Sequence, residues 1–137
     1  MNVFEQLAEF HDKFQLRPYS PGNLGKPHLL DEKYLLLRAR FIGEELNEFV
    51  EASMEEDLPH ILRELVDIIY VAVGTIDLHG FTPAQAKEAF DRVHAANMAK
   101  IRVKDPLESK RGTLFDVRKP EDWKPPQLDD LCERSKA

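Results

Sequence analysis

Five carboxylates stand at spacings that suit one kind of chemistry. Glu44, Glu45 and Glu48 fall in Glu44-Glu45-Leu46-Asn47-Glu48, and Glu64 and Asp67 in Glu64-Leu65-Val66-Asp67. Residues three or four apart share a helix face, so Glu45 pairs with Glu48 and Glu64 with Asp67. The stripes they share are apolar: Tyr34, Phe41 and Ala52 accompany the first pair and Val71 the second, while Arg40, Asn47 and Glu51 carry the polar side. Burying an unpaired carboxylate costs on the order of several kcal/mol, so such a set calls for cations or protons. A hard divalent cation with oxygen ligands, Mg²⁺ or Mn²⁺, answers that need. Held only by carboxylates, it keeps open positions that a polyphosphate can occupy. Surface acids on an amphipathic helix are the bland alternative. Two clusters inside apolar stripes of adjacent helices speak against it.

The elements that must position these acids are helices. Seven of the nine prolines lie between Pro18 and Pro27 or between Pro106 and Pro126, which marks both stretches as loops. A first helix is expected over about residues 2–14, with Phe4, Leu7, Ala8, Phe10 and Phe14 on its apolar side. The second should run from about Asp31, a suitable N-cap, to Met54. The third starts near Asp57-Leu58-Pro59 and stops at Gly80, and the fourth opens on the capping-box pattern Thr82-Pro83-Ala84-Gln85 and continues to about Ile101. The break between the second and third helices is short, so the two form an antiparallel hairpin whose acids can face each other. No stretch alternates with period two, so almost no strand is expected. The expectation is a single all-α domain over residues 1–137, a four-helix bundle with core helices at about 31–101 and a Pro-rich C-terminal loop and tail over 102–137. Leu65, Val66, Ile68, Ile69, Tyr70, Val71, Val73 and Ile76 make the third helix apolar nearly all round, which calls for burial on every side. Three neighbours from one small chain do not suffice, so a dimer is expected to complete the bundle.

Composition narrows the function further. Among 137 residues, 25 Asp plus Glu against 19 Lys plus Arg give a net charge of −6, the wrong field for coating a nucleic acid. Cys132 is the single cysteine, which excludes an intramolecular disulfide and argues against a thiolate zinc site. The start Met1-Asn2-Val3-Phe4-Glu5 is too polar for a signal peptide, and the apolar run Ile68–Val73 is far shorter than the roughly 20 residues of a membrane span. A cytoplasmic location is expected, with no membrane and no nucleic-acid polymer as partner.

Taken in order, these motifs resemble the all-α nucleoside triphosphate pyrophosphohydrolases, the superfamily of MazG, dimeric dUTPase-like proteins and phosphoribosyl-ATP pyrophosphohydrolase. Glu-Glu-x-x-Glu followed by Glu64-Leu65-Val66-Asp67-Ile68-Ile69-Tyr70-Val71 carries the resemblance, extended by Val93-His94-Ala95-Ala96-Asn97-Met98-Ala99-Lys100. Gly112 and Lys119-Pro120-Glu121-Asp122-Trp123-Lys124-Pro125-Pro126 are similar to the C-terminal segment of the MazG-like, dUTPase-like branch. The resemblance implies a MazG-like bundle and cleavage of a (deoxy)nucleoside triphosphate between its α- and β-phosphates, yielding monophosphate and pyrophosphate. It further implies Glu45, Glu48, Glu64 and Asp67 as metal ligands, and Glu44 as the extra acid that joins the metals or orients the attacking water, so that Glu44, Glu45 and Glu48 are the catalytic set. Pool sanitation of dUTP or another non-canonical nucleotide is the implied role. Phosphoribosyl-ATP pyrophosphohydrolase of histidine synthesis stands behind it, because that branch is usually shorter and lacks this tail.

Outside the acids, Asn97 and Lys100 lie one turn apart on the fourth helix, suited to bonding a nucleoside and phosphate oxygens. Lys119 and Trp123 are candidate substrate contacts in the tail, with Trp123 as readily a residue that pins the tail to the domain. Lys110 and Arg111 belong to the same cationic loop. His94 reads as a packing residue and Arg38 as a partner for the acids. A helical binding protein whose acids only form salt bridges is a further alternative. So is a di-iron bundle, for which Asp91-x-x-His94 and Asp57-x-x-His60 are poor substitutes for Glu-x-x-His.

Overall fold

The computed structural model describes residues 1–133; positions 134–137 of the expected tail lie outside the described residues. Four long helices dominate, and the chain forms two compact units, one of Met1–Ala86 with the segment from Cys132 on and the other of Lys87–Leu131. The all-α expectation holds: the sheet content among the described residues is one two-residue ladder.

Local chemistry sets the helix bounds in the first unit. Helix α1 (Val3–Phe14) starts where the Asn2 side chain accepts the Glu5 N–H. Helix α2 (Glu32–Met54) starts where Asp31 accepts from the Tyr34 N–H, and α3 (Leu58–Leu78) where Asp57 accepts from His60, with Pro59 in the first turn. Each cap satisfies a backbone donor that the helix itself leaves open. Helix α4 (Pro83–Met98) opens on the reciprocal box: Thr82 Oγ1 accepts from the Gln85 N–H, and Gln85 Oε1 accepts from the Thr82 N–H. It ends three residues before the expected Ile101, which instead enters strand β1 (Ile101–Arg102).

Helices α2 and α3 form the expected antiparallel hairpin, locked by Arg38. Its Nη2 donates to the Val71 carbonyl at 3.0 Å and its Nε to Thr75 Oγ1 at 3.1 Å. This corrects the expectation that Arg38 serves the acids: the guanidinium ties the seam of α2 to the backbone of α3, and among the described residues no ion pair joins it to a carboxylate. Helix α1 packs on the C-terminal half of α3. Phe4, Leu7, Val73 and Ala86 form the buried apolar cluster there, and Gly74 lets α1 and Arg38 approach closely. Asp77 sits at the same junction, nearly fully buried. It accepts from both ends of the Arg17 fork at 2.9 Å and lies 2.6 Å from His11 Nδ1, while its carbonyl accepts from the Tyr19 hydroxyl. Gly80 ends α3 at φ +92°, a conformation costly for any residue with a Cβ.

The expected all-round burial of α3 is not reached within one chain. Leu65, Val66 and Ile69 are each 41–52% exposed, and Leu46 and Val50 on α2 are similarly open. The hairpin is long, α1 covers only one end of it, and the remaining apolar face keeps its contact with solvent.

The second unit holds the rest of α4, β1, strand β2 (Val117–Arg118) and the tail. Strands β1 and β2 pair antiparallel, Ile101 with Arg118 and Arg102 with Val117. Trp123 Nε1 donates to the Ala96 carbonyl at 2.7 Å, and Arg92 grips the Asp130 carboxylate and the Gln127 carbonyl, so the tail lies along α4.

Candidate metal and active site

The hairpin brings together three of the expected acids. Ligand atoms of Glu45 and Glu48 on α2 and Glu64 on α3 lie within 4.8 Å of one another. Glu64 is buried at 4% exposure, Glu45 and Asp67 are half-buried, and Glu48 and Glu44 are exposed. Asp67 stands outside the tight triad, close enough for its charge to act on Glu45, and Glu44 is likewise not one of the three. The exposure of Glu48 departs from the expected burial.

The cluster is electrostatically unsatisfied. Burial, then the close Glu64 carboxylate, then the charges of Glu48 and Asp67 push Glu45 up to about 7. The Glu64 carboxylate is likewise the main cause that raises Glu48. Burial works to raise Glu64 itself, but the neighbouring Glu48 and Glu45 carboxyls and His60 outweigh it and hold Glu64 below the usual range. The cluster thus favours the charged form of Glu64 and works against the charged forms of the two α2 glutamates. Glu45 Oε2 and Glu64 Oε2 are buried with no hydrogen-bond partner. Orphaned buried acceptors are rare in folded proteins, and two of them in one cluster of hard oxygen donors fit a divalent cation.

One participant was missed in the sequence: His60 Nε2 lies 3.1 Å from Glu64 Oε1. Its signal is visible in hindsight as a His–Glu pair at i,i+4 in the first turns of α3.

The substrate candidates fall in the second unit. Lys100 Nζ and Lys119 Nζ lie 5.4 and 4.8 Å from the centroid of the Trp123 ring, and Asn97 and His94 are exposed on α4. Trp123 pins the tail through its bond to Ala96. Arg111 does not offer a free cation to a phosphate: its Nη1 donates to both carboxylate oxygens of Asp116, which also accepts from Ser109.

Among curated proteins no relative matches this chain. The family model of phosphoribosyl-ATP pyrophosphohydrolase matches residues 7–97, from within α1 to the last turn of α4 and including all five acids, and leaves the tail outside. The chain therefore belongs to the phosphoribosyl-ATP pyrophosphohydrolase family, enzymes that hydrolyse a phosphoanhydride bond of a nucleotide.

Proposed function

We propose that this protein is a Mg²⁺-dependent nucleoside triphosphate pyrophosphohydrolase, converting a (deoxy)nucleoside triphosphate and water to the monophosphate and pyrophosphate, with Mn²⁺ able to substitute. The observation that carries it is the triad of Glu45, Glu48 and Glu64 with its two orphaned buried oxygens, within a chain of this family. Glu45, Glu48, Glu64 and Asp67 hold the metal. A cation held there would supply charge neutralisation to the phosphate and polarisation to the attacking water. Glu44, exposed beside the triad, accepts a hydrogen bond from that water and orients it, so Glu44, Glu45 and Glu48 form the catalytic set. Asn97, Lys100, Lys119 and Trp123 bind the substrate: the two ammonium groups meet phosphate oxygens, and Trp123 offers a face to the base.

The resemblance of Lys119–Pro126 to the C-terminal segment of the MazG-like, dUTPase-like branch supports a triphosphate of the dUTP or non-canonical class. A second reading, phosphoribosyl-ATP as the substrate, is favoured by the matching family's own description. A homodimer, or a dimer of dimers, that covers Leu65, Val66 and Ile69 belongs to the proposal, as does a cytoplasmic setting with no membrane or nucleic-acid polymer as partner. A panel of canonical and non-canonical nucleoside triphosphates together with phosphoribosyl-ATP, assayed with Mg²⁺ and with Mn²⁺, tests it. Pyrophosphate release from a triphosphate is expected. Orthophosphate and a nucleoside diphosphate as primary products overturn the reaction, and turnover of phosphoribosyl-ATP alone selects the second reading.

A further inference from the structure

We infer that His60 is a positioning residue for the metal site, holding Glu64 Oε1 so that the other oxygen of that carboxylate is presented to the cation. The inference rests on the reading of Glu64 as a metal ligand.

His60 is placed by the start of α3. Asp57 accepts its backbone N–H, which fixes the first turn, and its ring then reaches one turn along the helix to Glu64. A carboxylate oxygen can only accept, so the imidazole nitrogen facing it, Nε2, carries the hydrogen. The other ring nitrogen, Nδ1, lies 3.9 Å from a carboxylate oxygen of Glu55 at the end of α2, so the ring stands between two acids at the hairpin turn. Arg63 Nε is 3.8 Å from the same Glu64 oxygen, but its side chain is 69% exposed; it adds charge without direction. Glu64 is more than nine-tenths buried, with Oε1 engaged and Oε2 unpartnered. A glutamate held by one oxygen loses the freedom to turn about its terminal bond, and its free oxygen keeps one direction. Hydrogen bonds of this kind to a ligating group orient it, and their loss costs roughly 10–100-fold in metal affinity. A plain helix pair at i,i+4 would affect stability only slightly, and metal binding not at all.

The test compares His60→Ala, His60→Gln and Glu64→Gln in the full chain by titration with Mn²⁺, reading free Mn²⁺ by electron paramagnetic resonance, with melting in EDTA as the second measurement. In His60→Ala the Mn²⁺ dissociation constant should rise about tenfold or more, and the metal concentration for half-maximal pyrophosphate release should rise in parallel. The melting temperature in EDTA should match that of the parent. Because a Gln amide can still donate to Oε1, His60→Gln should recover most of the lost affinity. Parental Mn²⁺ affinity in His60→Ala, while Glu64→Gln binds poorly, overturns the inference and leaves the metal site standing. Parental affinity in Glu64→Gln removes Glu64 from the site, and the inference with it.

Discussion

Glu45 on α2 and Glu64 on α3 face each other across the hairpin, each with one buried carboxylate oxygen that accepts no hydrogen bond. An unmet buried acceptor costs about 1–3 kcal/mol, more when charged. Paired in one cluster, the two are a local destabilisation that a cation relieves.

Stability should accordingly track metal. The melting temperature is expected to rise with Mg²⁺ or Mn²⁺ concentration, gaining about 2.7 kcal/mol at a concentration 100-fold above the dissociation constant. Glu48→Ala and Asp67→Ala should weaken that rise and abolish activity while leaving the metal-free fold as stable as before or firmer. Full metal-dependent stabilisation in the double variant would place the cation elsewhere.

Gly74→Ala should destabilise the protein despite the better helix former. Alanine gains about 1 kcal/mol over glycine within a helix. Its Cβ would meet Arg38 Nη2 at 3.0 Å, Leu7 Cδ1 at 3.2 Å and His11 Cε1 at 3.4 Å. None of the three is free to give: Arg38 is bonded to Val71, Leu7 is core, and His11 is held by Asp77. Overpacking of this kind costs about 1–3 kcal/mol, so urea unfolding should show a net loss. A stabilised variant would mean that the seam of α1 on α3 is loose.

Asp77 gives the pH dependence a definite sign. Burial works to raise its carboxyl, but the hydrogen bonds from His11 and Arg17 outweigh burial and hold it below the ordinary range. The groups facing it are His11 from α1 and Arg17 and Tyr19 from the segment that follows, with Asp12 on the far side of the Arg17 guanidinium as its second partner. An acid lowered in the folded state contributes fully above its unfolded value of about 3.9, and the contribution disappears as pH falls through the folded value. Asp77→Asn should cost about 1.5–3 kcal/mol at neutral pH, since Arg17 loses its buried partner and keeps only the exposed Asp12. The gap between variant and parent should close as pH drops below about 3.9. Equal stabilities at pH 7 in chemical denaturation would refute the role of the cluster.

Lys100 separates substrate positioning from packing. As a phosphate contact, Lys100→Ala should leave the metal-induced stabilisation intact and lower kcat/KM about 10- to 150-fold, the equivalent of roughly 1.5–3 kcal/mol. As no more than a cation over Trp123, its loss should cost about 0.5–1 kcal/mol of stability and nothing in turnover. A thermal melt and a kinetic run on the one variant decide between them.

What was legible in the sequence is what short-range chemistry determines. Asp31, Asp57 with Pro59, and Thr82 with Gln85 start helices because each satisfies backbone donors within three residues of itself, and three-residue spacing put Glu45 with Glu48 on one stripe. The short turn between α2 and α3 then forces Glu64 to meet them, so the triad could be anticipated. Other relationships were decided only by the approach of segments distant in the chain. Arg38 found Val71 and Thr75 rather than the acids because the antiparallel register sets its guanidinium beside a helix carbonyl. Asp77 carried no motif at all: its partners Arg17 and His11 are 60 and 66 residues away, and only the packing of α1 against α3 encloses all three. The pairing of His60 with Glu64 lies between these cases. Its spacing is local, but its consequence depends on Glu64 being buried against Glu45 and Glu48, and burial is a property of the folded chain, where neighbouring helices exclude the water that would otherwise satisfy each carboxylate.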